Sequence, residues 1–417
     1  MKDVISDFLN SQQERQEEFL AALVKSPTDN PPGDCAAHSK LLAKLLRNLD
    51  FEVEEHPVPD ATVKAAGMQS VTNIIVRHKF GDGPTIALNA HGDVVPPGSG
   101  WQYDPYGAEI VIEGGQRKMF GRGVAVSKSD LAGYTWALLA LKEAQSKGRK
   151  LAGTVELHFT YDEEIGGTVG PQWILEQGIS SPDYVICAGF SHAVITRHNG
   201  CLHLEVTING KIGHAAEPER AVDALEVTTK VLSSLYASRE ALSKIKVDIP
   251  GIEHPTLVVG LINGGVNTNV VPDKISFRID RRIVPGESAD AVQEQITSLI
   301  KAEVEKNPGV EFTAERIMAA APLEHKTGWE EIAGALRSAA ISLTGETIPY
   351  VGAKLFTDAR LYAEKGIPVV LFGAGPKTLA EAGGHNSDEK LDLNDLRRGT
   401  EITALAVSEL LKPQKKR

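Results

Sequence analysis

Cysteine is scarce in this chain. Only Cys35, Cys187 and Cys201 occur among 417 residues. An odd number at wide spacing provides neither a disulfide framework nor a cysteine zinc site. Reduced thiols in a cytoplasmic protein are the expectation. Positive charge is also in deficit: 44 Lys and Arg against 55 Asp and Glu leave a formal net charge of −11. With no basic stripe, nucleic acid and acidic membrane surfaces are not expected as partners. No apolar run is long enough to cross a bilayer. Residues 1–18 are polar and mixed in charge, without the apolar h-region of a signal peptide. The basic stretch at 412–417 reads as a solvated end. Repeats and low-complexity linkers are absent as well. What remains, with 42% hydrophobic residues, is a globular protein of two or three domains.

The order of elements gives the fold class. Apolar stretches at 51–58, 71–77, 85–90, 153–160 and 184–187 read as strands, and periodic segments at 34–49, 131–145 and 171–177 read as helices. This alternation predicts an α/β sheet with helices on its faces. The pattern changes near Ala193. Strand 202–208, helix 221–242, strands 256–261 and 274–280, helix 289–306 and strand 310–316 follow the split order of a small α+β layer, ferredoxin-like in type. The expected organisation is a larger domain at 1–195 plus 317–417, interrupted by an insert at 196–316.

Three segments concentrate the chemistry. In Asn89-Ala90-His91-Gly92-Asp93-Val94-Val95-Pro96, His91 ends an apolar strand, at the carboxyl edge where open sheets bind ligands. Asp93 is placed to take the other ring N–H and fix the tautomer. In Asp162-Glu163-Glu164-Ile165-Gly166-Gly167, three neighbouring carboxylates repel one another unless a cation or solvent relieves them. In Gly383-Gly384-His385-Asn386, a histidine again follows a buried-looking strand and a Gly-rich loop. Two imidazoles and one carboxylate, His91, Glu164 and His385, form a common catalytic zinc set with a position open for water. Glu163 is left to take a proton from that water.

These motifs, with Gly121-Arg122-Gly123, Gly213-His214, Asn269-Val270-Val271-Pro272, Arg282 and Glu389, resemble the co-catalytic zinc exopeptidases and deacylases. That family includes carboxypeptidase G, aminoacylase, acetylornithine deacetylase and succinyl-diaminopimelate desuccinylase. The resemblance implies a mixed-sheet zinc-exopeptidase-like catalytic domain and an inserted dimerisation and lid domain. It makes His91, Glu164 and His385 metal ligands, with Asp93 behind His91 and Glu163 as general base. It assigns His214 to the oxyanion in the partner subunit's site. Asn269 and Arg282 would hold the substrate, Arg282 through its planar fork; a surface ion pair is the other reading of Arg282.

Two ligand positions depart from the family. Val126 stands where the bridging aspartate belongs, and Gly189 stands where a second acid belongs. Two divalent ions about 4 Å apart repel by roughly 16 kcal/mol at an effective dielectric near 20, and a bridging carboxylate offsets much of that. Valine cannot. One tightly held metal is therefore expected, zinc first, with manganese or cobalt as the other options. Replacement ligands are sought at Asp130, His192 and His198, although Ser127-Lys128-Ser129-Asp130 also reads as a capping box. The leading function is hydrolysis of the C–N bond of a small N-acyl amino acid or peptide. Two rivals stand beside it: release of an amine from an unusual, for instance aromatic, substrate, and a catalytically silent ligand-binding dimer.

Overall fold

A computed structural model describes residues 1–325 and 327–413. The end of the basic tail, 414–417, lies outside the described residues. The chain divides into two compact units. Unit 1 comprises Met1–Thr196, His325–Val351 and Thr357–Arg417; unit 2 comprises Arg197–Glu324 and Gly352–Phe356.

Unit 1 is built on an eight-stranded mixed sheet. Its strand order is Val53–Pro57, Thr72–Lys79, Thr154–Thr160, Thr85–His91, Tyr184–Cys187, Val369–Leu371, Val194–His198, Tyr350–Ala353. The four central strands run parallel. They are buried almost throughout because both faces are covered: in Thr85–His91 every residue after Thr85 is buried. Helix Lys128–Ser146 is buried along most of its length, and it packs against helix Leu393–Leu410. The second of these helices comes so close to a sheet-edge loop that a β-carbon at Gly399 would stand 2.2 Å from the Gly373 carbonyl. Glycine there lets the helix fix the loop after strand Val369–Leu371.

The capping box at the start of helix Lys128–Ser146 does not form. Ser127 makes no side-chain cap hydrogen bond. Its hydroxyl instead donates to the His91 carbonyl at 3.1 Å. Asp130 is buried, and its carboxylate accepts the Ala374 N–H at 2.6 Å. Distant backbone donors displace the local pairing that the spacing suggested.

Unit 2 carries a four-stranded antiparallel sheet in the order Thr256–Gly264, Lys274–Ile283, Gly200–Asn209, Glu311–Ala320. Helices Ala224–Leu242 and Ala289–Val304 share its core, with Leu204, Val206, Phe277, Val231 and Ile300 fully or nearly buried. Strand Gly200–Asn209 alternates buried and half-buried residues over its second half, as a sheet with one covered face requires. Its last strand runs on to Ala320, so the unit ends at Glu324 and not near 316. Among the described residues no helix is long and apolar enough to cross a membrane.

Candidate metal centre

His91 closes the central strand Thr85–His91, so its side chain leaves the sheet at the carboxyl edge. The ring is fixed from behind: Nδ1 lies 3.0 Å from the Asp93 carbonyl oxygen and 3.3 Å from Asp93 Oδ1. A proton on Nδ1 satisfies both and leaves Nε2 as the nitrogen that a metal would take.

Asp93 does more than orient the histidine. Its two carboxylate oxygens accept the backbone N–H groups of Glu163 and Glu164, each at 3.3 Å. Asn30 donates to it at 3.0 Å. One buried acid thus ties the end of the His91 strand to the short turn Glu163–Ile165. Asp162 faces inward and accepts the Val169 N–H at 2.6 Å. Glu163 and Glu164 face the histidine, with Glu163 Oε2 3.9 Å from His91 Nε2.

Among the described residues His91, Glu163 and Glu164 bring one ligand atom each to within 4.8 Å of one another. Burial drives the Glu163 carboxyl well above its usual range; Glu164, Asp358 and Asp93 add to this, and His91 opposes it. Burial disfavours a charged His91, yet Glu163, Asp93 and Glu164 raise its imidazole well above the ordinary value. The cluster therefore holds excess negative charge with one imidazole to balance it. Glu164 Oε1 is buried, with His385 Nε2 as its near neighbour at 3.3 Å. Carboxylate oxygens gathered beside imidazole nitrogens are the donor set a divalent cation fits.

His385 stands at the edge of this cluster. Its Nε2 lies 3.3 Å from Glu164 Oε1, and that carboxylate raises the ring above its ordinary value. Its backbone is in the left-handed region at φ +64°, where non-glycine residues are uncommon. Arg122 and Glu389 act on its ring electrostatically. Arg122 is fully buried; it pairs with Glu389 at 2.7 Å and donates to the Asn386 carbonyl at 3.1 Å. Glu389 Oε1 also takes the Ala125 and Val126 N–H groups at 3.0 and 3.2 Å.

The two departures from the family are structural as well. Val126 lies beside the His385 loop: a β-carbon at Gly384 would stand 3.7 Å from Val126 Cγ2. A β-carbon at Gly189 would come to 2.9 Å of Phe372 N and 3.1 Å of Leu371 C. That position is closed by backbone to any acid.

The other candidates have different surroundings. Asp130 spends its carboxylate on the Ala374 and Gly189 backbone, and burial pushes it up to about 7. His192 pairs with Asp395 at 2.7 Å. His198 is buried in unit 2, its Nδ1 2.9 Å from the Asn199 carbonyl oxygen. None of the three joins the His91 group, so the replacement-ligand reading is corrected: Asp130 takes backbone N–H groups, His192 a carboxylate and His198 a carbonyl. His214 is exposed on unit 2, and its Nδ1 accepts the Ala216 N–H at 3.1 Å. Asn269 is exposed in the same unit. Asp280 holds Arg282 through Nε and Nη2 at 3.0 and 3.1 Å. Sequence reasoning passed over Asp358 altogether, a buried acid whose charge acts on His91 and Glu164.

The profile of peptidase family M20/M25/M40 matches residues 87–409. A succinyl-diaminopimelate desuccinylase from a Nitratiruptor species is 26% identical over 332 residues, 77% of this chain and 85% of that protein. The aminopeptidase PepT of Bacillus cereus superposes with a TM-score of 0.72 at 22% identity, covering 96% of this chain and 99% of its own. The YXEP protein of Bacillus subtilis, a dinuclear metal-binding peptidase, gives 0.67 at 17% identity over 97% and 99%. The chain belongs to peptidase family M20/M25/M40 and is a metal-dependent hydrolase of that family.

Proposed function

We propose that the protein hydrolyses the amide C–N bond of a small N-acyl amino acid or peptide-like substrate, using a single tightly held divalent ion, zinc in the first instance. One observation carries the reading: His91, Glu163 and Glu164 converge within 4.8 Å in a chain whose relatives include desuccinylases. His91 and Glu164 would hold the ion, with His385, whose Nε2 is 3.3 Å from Glu164 Oε1, completing the set. When bound, a divalent cation supplies Lewis acidity, polarising the scissile carbonyl and acidifying water. Glu163, its carboxyl already raised by burial, takes the proton of the attacking water and returns it to the leaving nitrogen. His214 is assigned the oxyanion of the partner subunit's site. Its Nδ1 accepts a backbone N–H, so the ring proton is on Nε2, the form that donates. Asn269 and Arg282 are assigned to the substrate's polar end.

The test is metal analysis with a substrate panel. The purified chain, loaded with zinc, manganese or cobalt, is expected to retain one ion per chain and to cleave at least one N-acyl amino acid. Failure on every such substrate, with ammonia released from an aryl amine, would transfer the assignment to an aminohydrolase. No retained metal and no turnover would leave only a binding protein.

A homodimer through unit 2 is part of this reading. Strand Thr256–Gly264 is an edge of its sheet, and Val258, Leu261 and Ile262 on it are half exposed. An exposed apolar edge of this kind invites pairing with another chain. Ile262→Asp is expected to shift sedimentation from dimer to monomer; a monomeric wild type would sink the idea.

A further inference from the structure

Asp358 is an acid without a local task. It stands at the N-cap of helix Ala359–Glu364, where an aspartate ordinarily accepts a backbone N–H of the first turn. Its side chain makes no such bond, and Thr357 Oγ1 takes the Ala359 N–H instead, at 3.2 Å. Asp358 is only 4% exposed, and its Oδ2 is buried with no hydrogen-bond partner. An unpaired buried carboxylate is costly, and a nearby cation offsets that cost.

Its position suggests which one. Asp358 packs directly on the loop after the Glu163–Ile165 turn: a β-carbon at Gly167 would stand 2.4 Å from Asp358 Oδ1. Two residues on, Arg360 Nη2 donates to the Gly166 carbonyl at 2.5 Å and holds that loop in place. The carboxylate acts electrostatically on His91, Asp93 and Glu164 and on Glu163. Arg360 acts on Asp358 electrostatically, but the two form no ion pair like the one between Arg360 and Glu364. Meanwhile the two places where the family puts acids on the metal hold Val126, which has no ligand atom, and Gly189, which backbone closes.

We infer that Asp358 is a carboxylate of the metal centre, supplying the negative charge that Val126 and Gly189 lack. This rests on the reading that the His91 cluster binds a divalent ion. It adds a residue outside the expected ligand set, and it accounts for a buried acid that neither the helix cap nor an ion pair explains. The charge count then favours retention of an ion by a centre short of two carboxylates.

Zinc and manganese titrations of the full-length protein, followed calorimetrically, test it. Asp358→Asn keeps the shape and removes the charge. It is expected to weaken metal binding at least tenfold, the usual size of effect for a group that supports a metal's ligands. The metal-free variant should melt no lower than the metal-free wild type, because an unpaired buried charge has been removed. If Asp358→Asn does not fold, Asp358→Ser, smaller and also neutral, is read the same way. A folded neutral variant that binds either ion as tightly as wild type overturns the inference and leaves the metal reading intact. Wild type that binds neither ion defeats that reading instead.

Discussion

Replacing Glu163 with glutamine is expected to lower turnover by about 100- to 10,000-fold, the contribution of a positioned general base, while the bound metal stays in place. Glutamine keeps the shape of the side chain and its contact with the turn, whose backbone is held by Asp93 and not by the Glu163 carboxyl. What it loses is the ability to take a proton. The metal measurement makes the experiment decisive, because Glu163 stands among the three donors that converge and its Oε2 is 3.9 Å from His91 Nε2. If the ion leaves together with activity, Glu163 is a ligand and the base lies elsewhere. Retained metal with turnover within tenfold of wild type removes the residue from the chemistry.

The sequence made the metal centre partly legible, and the parts it missed share a cause. His91 could be found because its signal is local: an apolar strand, a histidine, an aspartate two residues on, then proline. The Glu163-Glu164 pair was visible as adjacent acids before two glycines. The ferredoxin-like unit was readable because a sheet with one covered face alternates, as Gly200–Asn209 does over its second half. Asp130 was misread for the opposite reason. Its spacing from Ser127 obeys a local rule, but its acceptor atoms meet the Ala374 N–H, 244 residues away. His192 is likewise taken by Asp395, 203 residues on. Asp358 offered no motif at all: its meaning lies in the bonds it does not make. Local pattern shows which residues could do chemistry, and only tertiary contacts show which of them are already engaged. The hairpin of Glu109–Glu113 and Gln116–Phe120 was missed too, because its mostly exposed first strand carries little of the burial signal that marked the others.

The largest stability effect is expected at Arg122→Met. Arg122 and Glu389 are both about 1% exposed and pair at 2.7 Å. Removing one partner of a buried ion pair costs about 3–5 kcal/mol, because the other charge remains in place unpaired. Glu389 cannot relax into solvent: Oε1 is committed to the Ala125 and Val126 N–H groups, and burial already pushes its carboxyl up while Arg122 opposes that. Arg122 also carries the Asn386 carbonyl, one residue beyond His385, so the same change frees the loop that keeps His385 at φ +64°. Two readouts should therefore move together: the denaturation midpoint of the metal-free protein falls, and zinc binding weakens in the fraction that folds. Adding Glu389→Gln to Arg122→Met should recover part of the stability, since the buried charge goes while an acceptor for the backbone remains, but it should not recover zinc affinity, because the His385 loop still lacks its anchor. Equal recovery of both would mean that Arg122 matters to the metal centre only through global stability, and that the left-handed His385 is held by something other than this pair.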